Sequence, residues 1–84
     1  MAVPEGWNEV DDALEREFRF ADFRAAIDFV NRVAEVAEEA NHHPDIAIHY
    51  NAVDISLSTH SEGGVTGRDF ALAGQINQIA ATIS

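Results

Sequence analysis

Two adjacent histidines and a third one later in the chain are the residues best suited to proton transfer. His42 and His43 are followed directly by Pro44, and His60 ends a later run of alternating residues. Imidazole has an unperturbed pKa of about 6.5, so it can both give and accept protons near neutral pH. Because proline disfavours helical geometry at the residue before it, the pair lies at a break in the chain. These residues indicate general acid–base chemistry at a corner of the fold.

The same histidines allow two other interpretations. An imidazolium near the C-terminus of a helix is stabilised by the helix dipole by about 0.3–1 kcal/mol, so the pair could simply end a helix. Three histidines and a water molecule can also form a catalytic zinc site. Adjacent histidines at a corner are poor chelators, however, and we expect no metal. Nucleophilic catalysis has even less support than a metal site, because the sequence contains neither a cysteine nor a Gly-x-Ser-x-Gly turn.

Length, charge and composition limit the number of domains, the possible partners and the location of the protein. The 84 residues are enough for one domain, 1–84, and they contain 15 acidic and 5 basic side chains, a formal net charge of −10. A surface of this sign repels nucleic acids and anionic membranes, so we expect neither as a direct partner. The start of the chain has neither a basic segment nor an apolar one, which predicts no signal peptide. With no cysteine, we expect a cytoplasmic location.

The first third of the chain has the pattern of two strands. Residues 6–10 predict a short strand, Asp11 and Asp12 a turn, and residues 14–20 a second strand with alternating apolar positions. Arg16 interrupts the apolar side of that second strand.

A long helix should follow, with Asp22 as its N-cap and Asn41 closing it in left-handed geometry. Its apolar stripe follows helical spacing and consists of Phe23, Ala26, Ile27, Val30, Val33, Ala34 and Ala37. Phe29, Val36 and Ala40 make the stripe wider than one sheet contact requires. We therefore expect part of this helix to face a second subunit, while Glu38 and the other charged positions face solvent.

Two further alternating runs, 46–50 and 53–57, predict a β-hairpin with Asn51-Ala52 as its link. By alternation, Ser58 and His60 share a face opposite to Leu57. The stretch Thr66 to Asp69 resembles a capping box before a closing helix. The order β-β-α-β-β-α predicts an α+β fold, a four-stranded antiparallel sheet with two helices packed on one face.

Several motifs occur together in one order over nearly the whole chain. They are Gly6-Trp7-Asn8-Glu9-Val10, Phe18-x-Phe20-x-x-Phe23, Ala37-Glu38-x-x-Asn41-His42-His43-Pro44, Tyr50-Asn51-x-Val53, Leu57-Ser58-Thr59-His60 and Gly64-x-Thr66-x-x-Asp69-x-x-Leu72-Ala73. In this combination the sequence resembles the pterin-4a-carbinolamine dehydratase family, which is also known for a dimerisation-cofactor role.

The resemblance implies a lyase that dehydrates a 4a-hydroxytetrahydropterin to the quinonoid dihydropterin and so supports tetrahydropterin recycling. It implies His42, His43 and His60 as acid–base residues, and no metal or organic cofactor. Residues in contact with the pterin would be Asp69, Pro44, Trp7 and Thr59, with helix capping as the alternative or additional role of Asp69 and core or interface packing as the alternative role of Trp7. An aromatic amino-acid hydroxylase of the same pathway is an implied partner. The resemblance equally allows a non-catalytic dimerisation or assembly scaffold of the same fold.

The sequence departs from the family pattern at two places that affect these expectations. Family members usually begin with an extra helix before the Gly-Trp segment, and this sequence has almost nothing there. They often carry an aromatic residue soon after the His-His-Pro motif, where this sequence has Asp45-Ile46-Ala47. The first departure affects subunit packing and the second affects the wall of the pocket, but neither removes a histidine.

We expect the protein to form a homodimer or a homotetramer in solution. A chain of this size buries only about 60–65% of its unfolded surface, so association would supplement a thin core. Light scattering at micromolar concentration should return a multiple of the 9.2 kDa chain mass. A mass of one chain would contradict this expectation.

Overall fold

The order of the elements is the one that the sequence predicts. The computed structural model describes residues 3–83. In chain order the elements are β1 (Asn8–Val10), β2 (Ala13–Arg19), α1 (Phe23–Ala40), β3 (Asp45–His49), β4 (Ala52–Leu57), a short 3-10 turn (His60–Glu62) and α2 (Gly67–Ala81). Within this part of the chain no helix precedes β1, and none is long and apolar enough to span a membrane.

The four strands form one antiparallel sheet in the order β1-β2-β4-β3. The two central strands pair so that Leu14 lies opposite Leu57 and Phe18 opposite Val53, and all four side chains are buried. Alternation therefore gives the sheet one apolar face, which the two helices cover. The predicted α+β fold is confirmed.

The link of the second hairpin differs from the prediction by one residue. It is Tyr50-Asn51, because Ala52 already pairs with His49 across the hairpin. Within this link Tyr50 has left-handed backbone geometry, with φ 57°. Asn51 instead fixes the turn against β2, since its Nδ2 donates to the carbonyl oxygen of Phe20 at 2.9 Å.

Phe29 lies at the centre of the core, and its predicted contribution to a subunit interface is wrong. Its side chain is 0% exposed, and its ring centroid lies 4.9 Å from that of Phe18 and 4.8 Å from that of Phe20. Phe18 on β2 and Phe20 just beyond its end therefore both pack against this one side chain of α1. The large apolar side chain that α1 exposes to solvent is Phe23, which is 51% exposed.

Arg16 interrupts the apolar face of β2 because it holds the N-terminal segment in place. Its guanidinium lies 4.3 Å from the ring centroid of Phe18, and Nη1 donates to Oδ1 of Asn77 at 2.7 Å and to the carbonyl oxygen of Glu5 at 2.9 Å. Nε1 of Trp7 donates to the same Oδ1 at 2.8 Å. Trp7 is thus a core residue whose polar end is bonded to α2. We call Trp7, Arg16 and Asn77 the N-terminal clasp.

Replacing Asn77 should destabilise the protein through the N-terminal clasp. In Asn77→Ala the buried indole N–H of Trp7 loses its acceptor, and an unsatisfied buried donor costs about 1–3 kcal/mol. We expect a loss of this size in the free energy of unfolding, measured by urea denaturation. Gln78→Ala changes an exposed neighbour on the same helix and should be close to neutral. Equal stabilities of the two variants would contradict this account.

Candidate active site

The turn at the end of α1 places one of the two adjacent histidines in the protein interior and the other in solvent. Asn41 is left-handed, with φ 50° and ψ 45°, and its N–H donates to the carbonyl oxygen of Glu38 at 3.2 Å. The N–H of His42 donates to the carbonyl oxygen of Ala37 at 3.0 Å, which completes a Schellman motif. The chain reverses here, so that His42 is 8% exposed whereas the side chain of His43 is 56% exposed.

The start of α2 supplies the partner of the buried histidine. The predicted capping box is confirmed, since Thr66 caps the helix and its N–H donates to Oδ2 of Asp69 at 2.9 Å. Asp69 also accepts a hydrogen bond from Oγ1 of Thr59 at 2.8 Å on Oδ2 and one from Nε2 of His42 at 2.5 Å on Oδ1. Its side chain is 0% exposed, so a bound molecule could not touch it in this conformation.

These contacts keep the buried carboxyl group ionised. Burial by itself raises the pKa of Asp69, but the hydrogen bonds from His42, Thr66 and Thr59 and the electrostatic attraction of His42 together lower it by more, so the pKa lies below the ordinary value of an aspartate. A carboxylate only accepts hydrogen bonds, so the nitrogen that faces it, Nε2 of His42, must carry a proton. A helix-end role does not account for His42, because its ring is paired with a side chain of another helix.

Thr59 joins the third segment of the site to the other two. Its buried hydroxyl lies 2.8 Å from Oγ1 of Thr66 as well as from the carboxylate of Asp69. Thr59 also begins the 3-10 turn that carries His60, and its pairing with Gly64 closes that turn. The hydroxyl that was expected to contact the pterin is thus bonded inside the protein.

His60 is exposed at the end of β4. It lines an open hollow of about 480 Å³ on the sheet face that the helices leave uncovered, together with Ser58, Ser56, Asp45 and Glu15. The expectation that Ser58 and His60 share a face is confirmed. The exposed imidazole of His60 is thus connected to the buried Asp69 through Thr59, which precedes His60 in the chain and whose hydroxyl donates to the carboxylate.

Glu38 is the residue of this region that sequence reasoning missed. Its side chain is exposed, as its position on α1 predicts, but its carboxylate also contacts Nε2 of His43. The left-handed turn at Asn41 brings His43 back toward the last turn of the helix. The signal available in the sequence was the position of Glu38 in the motif that also contains Asn41 and His43.

The remaining predicted site residues lie at different distances from this cluster. Pro44 follows His43 directly and is half-buried. Trp7 is not among the residues that Asp69 brings together: its partner Asn77 is eight residues along α2 from Asp69, about 12 Å at 1.5 Å per residue. A role for Trp7 in pterin binding stays a prediction. His49 is exposed on β3, where its Nε2 lies 3.5 Å from Oδ2 of Asp54.

The arrangement combines one buried imidazole of fixed orientation with two exposed imidazoles on adjacent segments. Such a set can accept a proton at one position and donate one at another. Across residues 3–83 no group of three or more His, Asp, Glu or Cys side chains is placed to hold a metal ion.

The depressed pKa of Asp69 predicts how stability responds to acid. A carboxyl group whose pKa is lower in the folded state stabilises the protein above its unfolded pKa of about 3.9, and this contribution is lost as the pH falls through the folded value. Urea denaturation of the parent and of Asp69→Asn from pH 7 downward should show a stability difference that narrows below about pH 4. The exposed-pair variant Asp54→Asn is the control and should track the parent; a constant difference for Asp69→Asn would contradict the assignment.

Comparison with known proteins shows to which family the chain belongs. The sequence model of the family described as "Pterin 4 alpha carbinolamine dehydratase" matches residues 1–79. A protein of Thermomicrobium roseum is 56% identical over 75 residues, which cover 89% of this chain and 81% of that protein. A protein of Sulfolobus acidocaldarius is 47% identical over 75 residues, with coverages of 89% and 82%. Both carry the provisional name pterin-4-alpha-carbinolamine dehydratase.

Two solved structures share the fold. A crystal structure described as a transcriptional coactivator/pterin dehydratase from Brucella melitensis superposes with a TM-score of 0.87 at 45% identity, covering 90% of this chain and 83% of that one. The other is described as a pterin dehydratase-like protein identified as a RuBisCO assembly factor in the alpha-carboxysome. It has a TM-score of 0.77 and 24% identity over 92% of each chain, which shows a common fold alone.

Proposed function

We propose that this chain, which belongs to the pterin-4-alpha-carbinolamine dehydratase family, catalyses the dehydration of a 4a-hydroxytetrahydropterin to the quinonoid dihydropterin. The reaction would return the pterin to the reduced pool used by aromatic amino-acid hydroxylases. The observation that carries the proposal is the hydrogen-bonded connection of the His42–His43 corner to the Thr59–His60 turn through Asp69.

The chemistry of the reaction fits these residues. Breaking the C4a–O bond requires a proton on the departing hydroxyl, and forming the new C=N bond requires a ring nitrogen to lose one. Neither half changes an oxidation state, so imidazole groups are sufficient as acid and base near neutral pH. We propose His42, His43 and His60 as these groups and Pro44 as part of the pocket wall, with no cofactor.

A scaffold function is the alternative that the fold also supports. Phe23 is exposed beside Ile27 and Ile83, and these side chains line an open hollow of about 710 Å³ at the start of α1. An apolar surface of this kind suits a protein contact. The scaffold alternative requires no catalysed rate, so a direct assay separates it from the enzyme.

Removing either exposed histidine should lower the catalysed rate. General acid–base groups typically contribute about 10²–10⁴-fold, and we expect His43→Ala and His60→Ala each to lose at least about tenfold in kcat. Both side chains are exposed, so their removal should cost little stability. The measurement is the rate of 4a-hydroxypterin dehydration with purified protein above the uncatalysed rate.

His49→Ala is the matched control because it removes another exposed imidazole, one that lies on β3. It should retain the rate of the parent protein. If His43→Ala and His60→Ala are as fast as His49→Ala, this assignment of the site is wrong. If the parent protein itself adds nothing to the uncatalysed rate, the scaffold function is favoured.

A further inference from the structure

The hydrogen bonds around Asp69 are directional in a way that determines the chemistry of His42. Oδ2 faces the backbone N–H of Thr66, the residue that caps α2, and this N–H can only donate. The hydroxyl of Thr59 also donates to Oδ2. Oδ1 is thereby left for the ring of His42, and an ionised carboxylate offers that ring an acceptor only.

The second ring nitrogen of His42 is directed away from this cluster. The hydrogen bond to Asp69 uses Nε2. Within residues 3–83 every fully buried side-chain nitrogen or oxygen has a hydrogen-bond partner, and no described residue supplies one for Nδ1. The small exposed part of the His42 side chain therefore includes Nδ1.

We propose that Asp69 is a positioning residue that fixes neutral His42 as the Nε2–H tautomer, so that Nδ1 is the base in the dehydration. This inference rests on the proposed function and assigns the acid and base roles within it. The hydroxyl of Thr59 and the N–H of Thr66 act on His42 indirectly. They hold the carboxylate of Asp69 in the orientation in which Oδ1 faces the imidazole ring. Asp69 and Thr59 then influence the reaction without contacting the pterin.

The proton and electron balance of the step follows from this assignment. Nδ1 of His42 takes the proton of a pterin ring nitrogen, and the electron pair of that N–H bond forms the C=N bond to C4a. The C4a–O pair leaves with the oxygen, which receives a proton from an exposed imidazolium, His43 or His60. Water is released, no atom is oxidised or reduced, and solvent restores the two imidazoles. The imidazolium formed at His42 is stabilised by the charge of Asp69.

The substitution Asp69→Asn should invert the tautomer of His42. The N–H of Thr66 cannot rotate and requires an acceptor, so the amide oxygen should occupy the place of Oδ2. The amide NH₂ group then faces Nε2 of His42 and turns that nitrogen into an acceptor. The proton moves to Nδ1, where it blocks the base.

The tautomer of the parent protein is the first test, and it needs no variant and no substrate. Nitrogen NMR of protein labelled with ¹⁵N-histidine, recorded at alkaline pH where the rings are neutral, distinguishes a protonated ring nitrogen from an unprotonated one. We expect Nε2 of His42 to be protonated and Nδ1 to be unprotonated. A protonated Nδ1 in the parent protein would overturn the proposal, whether or not the protein has dehydratase activity.

Kinetics of Asp69→Asn provide the second test. We expect kcat to fall by about 10²–10⁴-fold with KM nearly unchanged, and the NMR signals of His42 to show the inverted tautomer. Asp54→Asn is the matched control, since it makes the same change in the exposed pair with His49 and should keep the parental kcat. An Asp69→Asn protein that is folded and as active as the parent would overturn the proposal. If that variant does not fold, the spectrum of the parent protein decides alone.

Failure of the inference and failure of the proposed function give different results. A parent protein without dehydratase activity but with Nε2–H at His42 removes the function and leaves the tautomer assignment standing. An active parent with Nδ1–H at His42 keeps the function and removes the assignment.

Discussion

The hydrogen bonding of one buried carboxylate is the constraint on which the site depends. Asp69 has no exposed surface, and an ionised group in that position is costly unless its oxygens are satisfied. Its three donors come from the turn after α1, the end of β4 and the start of α2. Satisfying one charge therefore fixes three segments of the chain relative to one another, and two of these segments carry all the proposed acid–base residues.

A second polar cluster stabilises the opposite end of α2. The N-terminal clasp places the Oδ1 atom of Asn77 between the indole of Trp7 and the guanidinium of Arg16. The helix is thus attached to its surroundings by polar bonds at both ends, while Leu72, Ala73 and Ile76 pack in the core between them. This arrangement separates the two tasks of the helix. One end maintains the fold, and the other end orients the buried histidine.

The two adjacent histidines show how one local device creates two chemical environments. The left-handed residue Asn41 reverses the chain, and the next two side chains then leave the backbone on different sides. His42 is paired with the buried, ionised Asp69, whereas His43 contacts the exposed Glu38. Low dielectric strengthens the first pair, and water and salt screen the second. The pair can therefore divide acid and base roles although the residues are identical.

The elements, their order and the caps of the helices could be predicted from the sequence, because those features depend on residues within one or two turns of each other, although the strand ends were displaced by a residue or two. Alternation, the helical stripe and the caps at Asp22, Asn41 and Thr66 are of this kind, and they predicted the fold and the positions of the histidines on it. Only the tertiary structure decided that Phe29 fills the core, that Arg16 bonds Asn77, and that His42 rather than His43 is buried against Asp69. The bond from His42 to Asp69 joins residues 27 positions apart. Contacts at such separations follow from how the helices pack on the sheet, and no pattern along the chain encodes them locally.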